Sequence, residues 1–216
     1  MTTHTDTLSK HFEDWWGVAG KRIRVGEDPL WELSEDYAVL AFPPRIRTDK
    51  KGKTWAREWT YATCGMSQPG DADCLELFVE SPQETLNIVE LLNMTAHFHR
   101  TGSALGLGHT LNFGRPWLPG SLCHHGFISL PYIDDPQLEH AHVLGKEVRI
   151  LWLIPITREE REYKKKHGVE ALEDLFQRSK FRFGDPSRPS MSVLFSVFLG
   201  PDPSIIVTEF PNVERS

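Results

Sequence analysis

Cysteine is scarce in this sequence. Three occur in 216 residues, Cys64, Cys74 and Cys123, and no two stand as a CxxC pair. The odd count and the spacing exclude a structural Cys-rich zinc site and argue against the disulfide framework of a small secreted domain. Cys64 and Cys74 flank a turn and could approach each other, but reduced and buried thiols are the simpler expectation. Long apolar runs are missing too. None nears the ~20 residues that cross a bilayer, and Met1 to Asp6 has neither the basic nor the apolar region of a secretory signal. An excess of cations is also absent: 24 Lys and Arg face 30 Asp and Glu, a formal net charge of −6. A dedicated nucleic-acid binder is usually strongly basic. Neither HExxH nor GxSxG occurs. The glycines from Gly102 to Gly108 do not lead a strand into a helix, as a phosphate-binding loop requires.

The sequence does have a globular composition, 39% hydrophobic and 25% charged. These properties together predict one cytoplasmic domain over residues 1–216. Leu8, His11, Phe12, Trp15 and Trp16 recur at helical spacing, with Thr5, Asp6 and Thr7 as candidate caps and Gly17 as a stop. A break at Asp28-Pro29 precedes a strand over Tyr37–Phe42, which ends at Pro43-Pro44. A basic hairpin loop, Arg45 to Lys53, leads into a strand predicted from Trp55 to Cys64 with one aromatic-rich face. Another strand is expected over Cys74–Val79. Ser81-Pro82-Gln83-Glu84 reads as a helix start with a capping box, opening a helix through Leu86, Val89, Leu92 and Ala96 that stops near Gly102. Short strands are expected at His109–Phe113 and Phe127–Tyr132.

Glu147–Ile154 is the most apolar strand, which suggests a central position covered on both faces and an end at Pro155. Thr157 to Glu160 forms a capping box for a charged helix. Val169 to Arg178 continues as an amphipathic helix with Leu172, Leu175 and Phe176 inward. The tail carries β-prone stretches at Met191–Leu199 and Ile205–Phe210. The order of elements predicts an α+β fold: a mixed, largely antiparallel sheet with helices packed on it.

Ten histidines raise the question of metal chemistry. His97 and His99 point apart on a helix. His140 and His142 could share a face if extended, but their polar surroundings suggest a loop. Cys123 and His125 are expected on one strand face, and with His109 they form the one chemically sensible Cys/His/His set, for zinc or for a thiol-dependent hydrolase. The simpler expectation is that these side chains are scaffold, with no cofactor. The basic stretch Arg45, Arg47, Lys50, Lys51, Lys53 and Arg57 beside Trp55 and Trp59 has the outline of a nucleic-acid platform, but a solvated hairpin tip is the commoner explanation. The acidic residues between Gln68 and Glu76, and Asp134-Asp135, fit turn tips or the rim of a site for a basic protein.

Trp59-Thr-Tyr61-Ala-Thr63-Cys-Gly65-Met66-Ser67 resembles the aromatic strand and Gly-Met-Ser signature of bacterial suppressor of fused (SUFU) domains. Further segments occur in the order that family shows. Glu76-Leu-Phe78 precedes the helix around Thr85–His99, and Gly108-His109-Thr110-Leu111 leads to Gly114-Arg-Pro116. Ile150 to Thr157 is followed by Glu159-Glu160, Tyr163, His167-Gly168 and Glu170-Ala-Leu172. The similarity covers roughly residues 31–181, leaving the 191–210 strands outside. It implies a SUFU-like fold and a non-catalytic module that binds a protein partner. In bacteria this would be an immunity protein that occludes a toxin domain, without nucleic acid or membrane. The resemblance carries over no catalytic residues. The segments chosen as a binding surface, from loop position and aromatic content, are Tyr61 to Met66 and the loop bearing His109, Arg115 and Trp117.

Overall fold

The computed structural model describes residues 3–24, 33–48, 52, 54–134, 136–178 and 182–191. The break at Asp28-Pro29, Trp31 and Phe181 at the ends of the resembling stretch, Lys50, Lys51, Lys53, Asp135 and the strands expected over 192–210 lie outside them.

Helix α1, His4–Trp16, is closed at its start by a capping box. Thr3 Oγ1 accepts from Asp6 N, and the Asp6 carboxylate accepts from Thr3 N, both at 3.1 Å. The cap is therefore Thr3, two residues earlier than the Thr5–Thr7 expectation, which lets His4 and Thr5 be buried inside the helix. Gly17 ends it as expected.

Strands β1 (Lys21–Ile23), β2 (Ala38–Phe42), β5 (Trp59–Cys64), β6 (Cys74–Ser81), β7 (Thr110–Asn112), β8 (Cys123–Ser129), β9 (His140–Val143) and β10 (Lys146–Thr157) form one sheet. Strands β3 (Arg45–Thr48) and β4 (Thr54–Arg57) make a separate hairpin. The order across the sheet is β1-β2-β5-β6-β10-β8-β7, with β9 pairing the start of β10. Among the described strands only β6 and β10 run parallel; the other pairs are antiparallel, so the mixed, largely antiparallel α+β expectation is met. Helices α2 (Leu86–Thr101), α3 (Arg158–His167) and α4 (Val169–Gln177) complete the fold.

Side-chain alternation along the strands divides the core in two. Leu40, Phe42, Ala62, Phe78, Ile150, Trp152 and Ile154 face α1 and α4. Val39, Ala41, Tyr61, Leu77, Val79, Leu151 and Leu153 face α2. The central strand β10 is thus covered on both sides, as its apolar sequence suggested. On the first face Trp16 stacks on Phe12 and meets Phe42 edge-on, ring centroids 5.1 and 4.6 Å apart. Each such buried side chain stabilises the fold by roughly 1.5–3 kcal/mol. No helix among the described residues is long and apolar enough to cross a membrane.

Several element boundaries differ from expectation for identifiable reasons. The strand read from Trp55 to Cys64 breaks at Glu58 because the buried Arg57 is held by Glu80 and Asp134, and β4 pairs with β3 rather than with the main sheet. Ser81 does not cap α2. It ends β6 opposite Trp59, and Thr85 is the cap, with its side chain accepting from Asn87 N. Pro155 does not end β10. It sits opposite Gly126, past Trp152, the last residue that pairs with β6, and the strand runs on to Thr157. His140 and His142 lie in a strand, both exposed, rather than in a loop. β8 starts at Cys123, four residues earlier than the Phe127–Tyr132 expectation. The three cysteines are free and buried.

Candidate partner-binding surface

The Gly-Met-Ser bend owes its shape to one carboxylate. Glu76 is fully buried and accepts five hydrogen bonds, from Gly65 N, Met66 N, Ser67 N, Ser67 Oγ and Thr63 Oγ1, at 2.5–3.4 Å. Burial pushes its pKa up, and the bonds from Ser67, Thr63 and Gly65 pull against that shift. Gly65 has φ +100°, and a Cβ there would lie 2.8 Å from Thr5 Cγ2. The bend therefore requires glycine both for conformation and for the approach of α1. His4 Nε2 lies 3.0 Å from Ser67 Oγ. Because the Ser67 hydroxyl proton goes to Glu76, His4 Nε2–H is the donor in that pair.

The five residues singled out in the sequence separate into two groups. Tyr61, Met66 and Trp117 are buried. The Tyr61 hydroxyl accepts from Thr85 N at 2.8 Å and so fixes the start of α2. Trp117 Nε1 donates to Ser121 Oγ at 3.0 Å, and Trp117 N donates to Cys123 O at 3.0 Å, closing the 114–122 loop. These three side chains hold surface segments in place from below. His109 and Arg115 are exposed and bracket β7. Arg115 pairs with Glu90 of α2 at 2.6 Å, with both side chains about half exposed. Such a pair contributes at most ~1 kcal/mol and leaves the guanidinium available to a partner.

Strand β7 between them is the last strand of the sheet among the described residues. His109 O accepts from Ile128 N, and Phe113 N donates to His124 O. In the alternating antiparallel pattern the backbone groups of Thr110 and Asn112 therefore point outward. Gly126 lets β7 seat closely, because a Cβ there would meet Phe113 Cζ and Leu153 Cδ1, each at 2.7 Å. Thr110 and Asn112 were not among the sequence candidates. The available signal was a short strand bracketed by Gly108 and Gly114.

The Cys123, His125 and His109 set is not brought together. A register shift between Ile156 and Thr157 interrupts the alternation at the start of β8. Cys123 then joins the apolar cluster beneath α2, while Phe127, two residues past His125, belongs to the opposite cluster. His109 lies opposite Ile128, three residues along β8 from His125, or roughly 10 Å. Burial pushes the Cys123 thiol up to about 11, so it stays protonated at neutral pH. Among the described residues no three His, Cys, Asp or Glu side chains are placed to hold a metal ion.

The family model for suppressor of fused protein matches residues 37–189. The chain belongs to the suppressor of fused family. A SUFU homologue from Neisseria gonorrhoeae has the same fold, with a TM-score of 0.69 and 30% identity over 87% of this chain and 96% of that one. The fold also matches a chain of the Sufu–Fu complex, with a TM-score of 0.65 and 12% identity over 92% and 95% of the two chains. Drosophila Suppressor of Fused matches with a TM-score of 0.55 and 14% identity over 76% of this chain, which spans only 44% of the Drosophila one. No curated protein matches significantly. Within the matched residues, the Gly65-Met66-Ser67 segment of this SUFU domain is a bend wrapped around the buried Glu76.

Proposed function

We propose that this SUFU domain is a non-catalytic cytoplasmic protein that binds a protein partner at the β7 edge, as an immunity protein binds a toxin domain and covers its active site. One observation carries the reading: β7 presents the outward backbone groups of Thr110 and Asn112 between the exposed side chains of His109 and Arg115. A partner strand can pair with such an edge through main-chain hydrogen bonds. The buried Trp117 and the seat at Gly126 keep that edge in position, which lowers the ordering cost of binding. A solved relative occurs in a complex, Sufu–Fu, which is consistent with a binding role. The test is co-expression with candidate toxin domains taken from the products of neighbouring genes. Growth rescue and co-elution are expected. Both should be lost in Thr110→Pro, which blocks the edge without removing a bond to β8, and kept in Thr110→Ala. Rescue that is indifferent to Thr110→Pro would reject the edge, and failure of the unaltered domain to rescue would reject the immunity role.

A further inference from the structure

Although the chain as a whole is acidic, the β7 edge is flanked by cations. Helix α3 carries Arg158, Arg161, Lys164, Lys165 and Lys166, against Glu159 and Glu162; its third carboxylate, Glu160, is buried and paired with Arg188. This helix lies over β8, the strand that pairs with β7. Lys164 Nζ sits 5.5 Å from the centre of the Phe127 ring, and Phe127 pairs directly with Thr110. His125 pairs with Asn112 and lies in the field of Arg161 and Arg158, with Glu162 of the same helix acting against them. Val169, just beyond α3, lies against Gly108, whose Cβ position is 3.2 Å from Val169 Cγ2. Directly opposed residues of an antiparallel pair share a face. Thr110 and Asn112 therefore project their side chains to the α3 side, and so would the matching residues of a strand added beyond them. His125 is more than nine-tenths buried, and its Nδ1 has no hydrogen-bond partner, an unfilled donor or acceptor at the same margin.

We propose that the β7 edge selects an extended protein segment whose alternate side chains are acidic, with those carboxylates meeting the Arg158–Arg161–Lys165 stripe of α3. This rests on the edge-pairing reading above and names the chemistry of the segment that pairs. Edge pairing alone is blind to sequence, because it uses only main-chain groups; the alternate side chains supply discrimination. A flanking stripe of one sign favours the opposite charge and disfavours its own. Glu162 bonds to Arg161 and Lys165, at 2.6 and 3.4 Å, and so spaces these cations while leaving a net positive strip.

The test titrates three capped peptides into the isotope-labelled domain and follows the backbone amide signals of Thr110 and Asn112. The peptides alternate valine with glutamate, glutamine or lysine. The glutamate peptide is expected to shift both amides and to bind about tenfold or more tightly than the glutamine peptide, with the lysine peptide weakest. The preference should shrink as salt is raised. It should also disappear in the Arg158→Glu/Arg161→Glu variant while the glutamine peptide binds as before, which shows that the variant is still folded. If all three peptides shift Thr110 and Asn112 equally, the acidic selectivity is wrong and the edge reading stands. If the glutamate peptide perturbs α3 but not Thr110 and Asn112, or if no peptide shifts these two amides, the edge reading fails and takes this inference with it.

Discussion

Arg188 and Glu160 form a bidentate ion pair with both side chains fully buried: Nη1 meets Oε1 at 2.7 Å and Nη2 meets Oε2 at 2.8 Å. Glu160 also accepts from Thr157 N at 2.9 Å, closing the capping box of α3, and from Met191 N at 2.9 Å. Arg188 Nη2 donates in addition to Pro155 O. One pair thus ties three things together: the end of β10, the start of the basic helix beside the proposed binding edge, and the 182–191 segment.

Removing one partner strands a charge in the core. Arg188→Ala should therefore cost about 3–5 kcal/mol, measured as a shift in the urea midpoint. The double substitution Arg188→Met/Glu160→Leu should cost clearly less than the single one. A loss below ~1 kcal/mol for Arg188→Ala would show that the pair does not anchor the segment.

The Gly-Met-Ser bend should tolerate no side chain at its first position. Gly65→Ala has to adopt a positive φ and displace Thr5 from the start of α1, at a cost of order 1–3 kcal/mol. Glu76→Gln would set an amide N–H against a nest of donors and should cost a similar amount, about 1–3 kcal/mol. Urea denaturation of both variants checks this. Wild-type stability in either one would contradict the geometry of the nest.

Several histidines make the fold sensitive to acid. Burial holds His4, His11, His99 and His125 below the usual imidazole value, with neighbouring Arg residues adding to the effect at His99 and His125. The unfolded chain then binds protons at a higher pH than the native one. Their contribution is fully present above about 6.5 and is lost as the pH falls through the depressed native values. Urea midpoints between pH 7.5 and 5 should fall, and the fall should be shallower in His4→Gln. A midpoint that rises on acidification would contradict the sign.

The thiols should be inert in the native state. Burial pushes Cys64 up to about 12 and Cys123 up to about 11, and Cys74 is also raised by burial. A thiol-exchange reagent at pH 8 should react with all three only after denaturation. Fast labelling of Cys123 in the folded protein would revive the hydrolase reading.

What the sequence revealed depended on whether the signal was local. The Thr157–Glu160 capping box and the inward Leu172, Leu175 and Phe176 follow from residues a few positions apart, and the two-sided burial of β10 is written in its own apolar run, so they were legible. The Ser81-Pro82-Gln83-Glu84 pattern misled because pairing with Trp59 across the sheet outweighs a local capping motif. Cys123 and His125 were separated by a register shift that no spacing rule reveals. At the candidate surface, position in the chain pointed to the loops that flank β7 but not to its backbone. Aromatic content favoured Tyr61 and Trp117, which the core buries, whereas the groups that face outward at the edge are the backbone of Thr110 and Asn112. The role of Glu76 as the centre of the bend was hidden for the same reason: its five donors come from a segment nine to thirteen residues earlier on the neighbouring strand.

The most direct test of binding through the β7 edge is amide hydrogen exchange of the domain, alone and in complex with a protein partner isolated by co-elution. The account predicts new protection centred on residues 109–115, weaker protection along α3, and none at the opposite edge, Lys21–Ile23. Protection confined to β1, or to the β3–β4 hairpin, with unchanged exchange at Thr110 and Asn112 would contradict it.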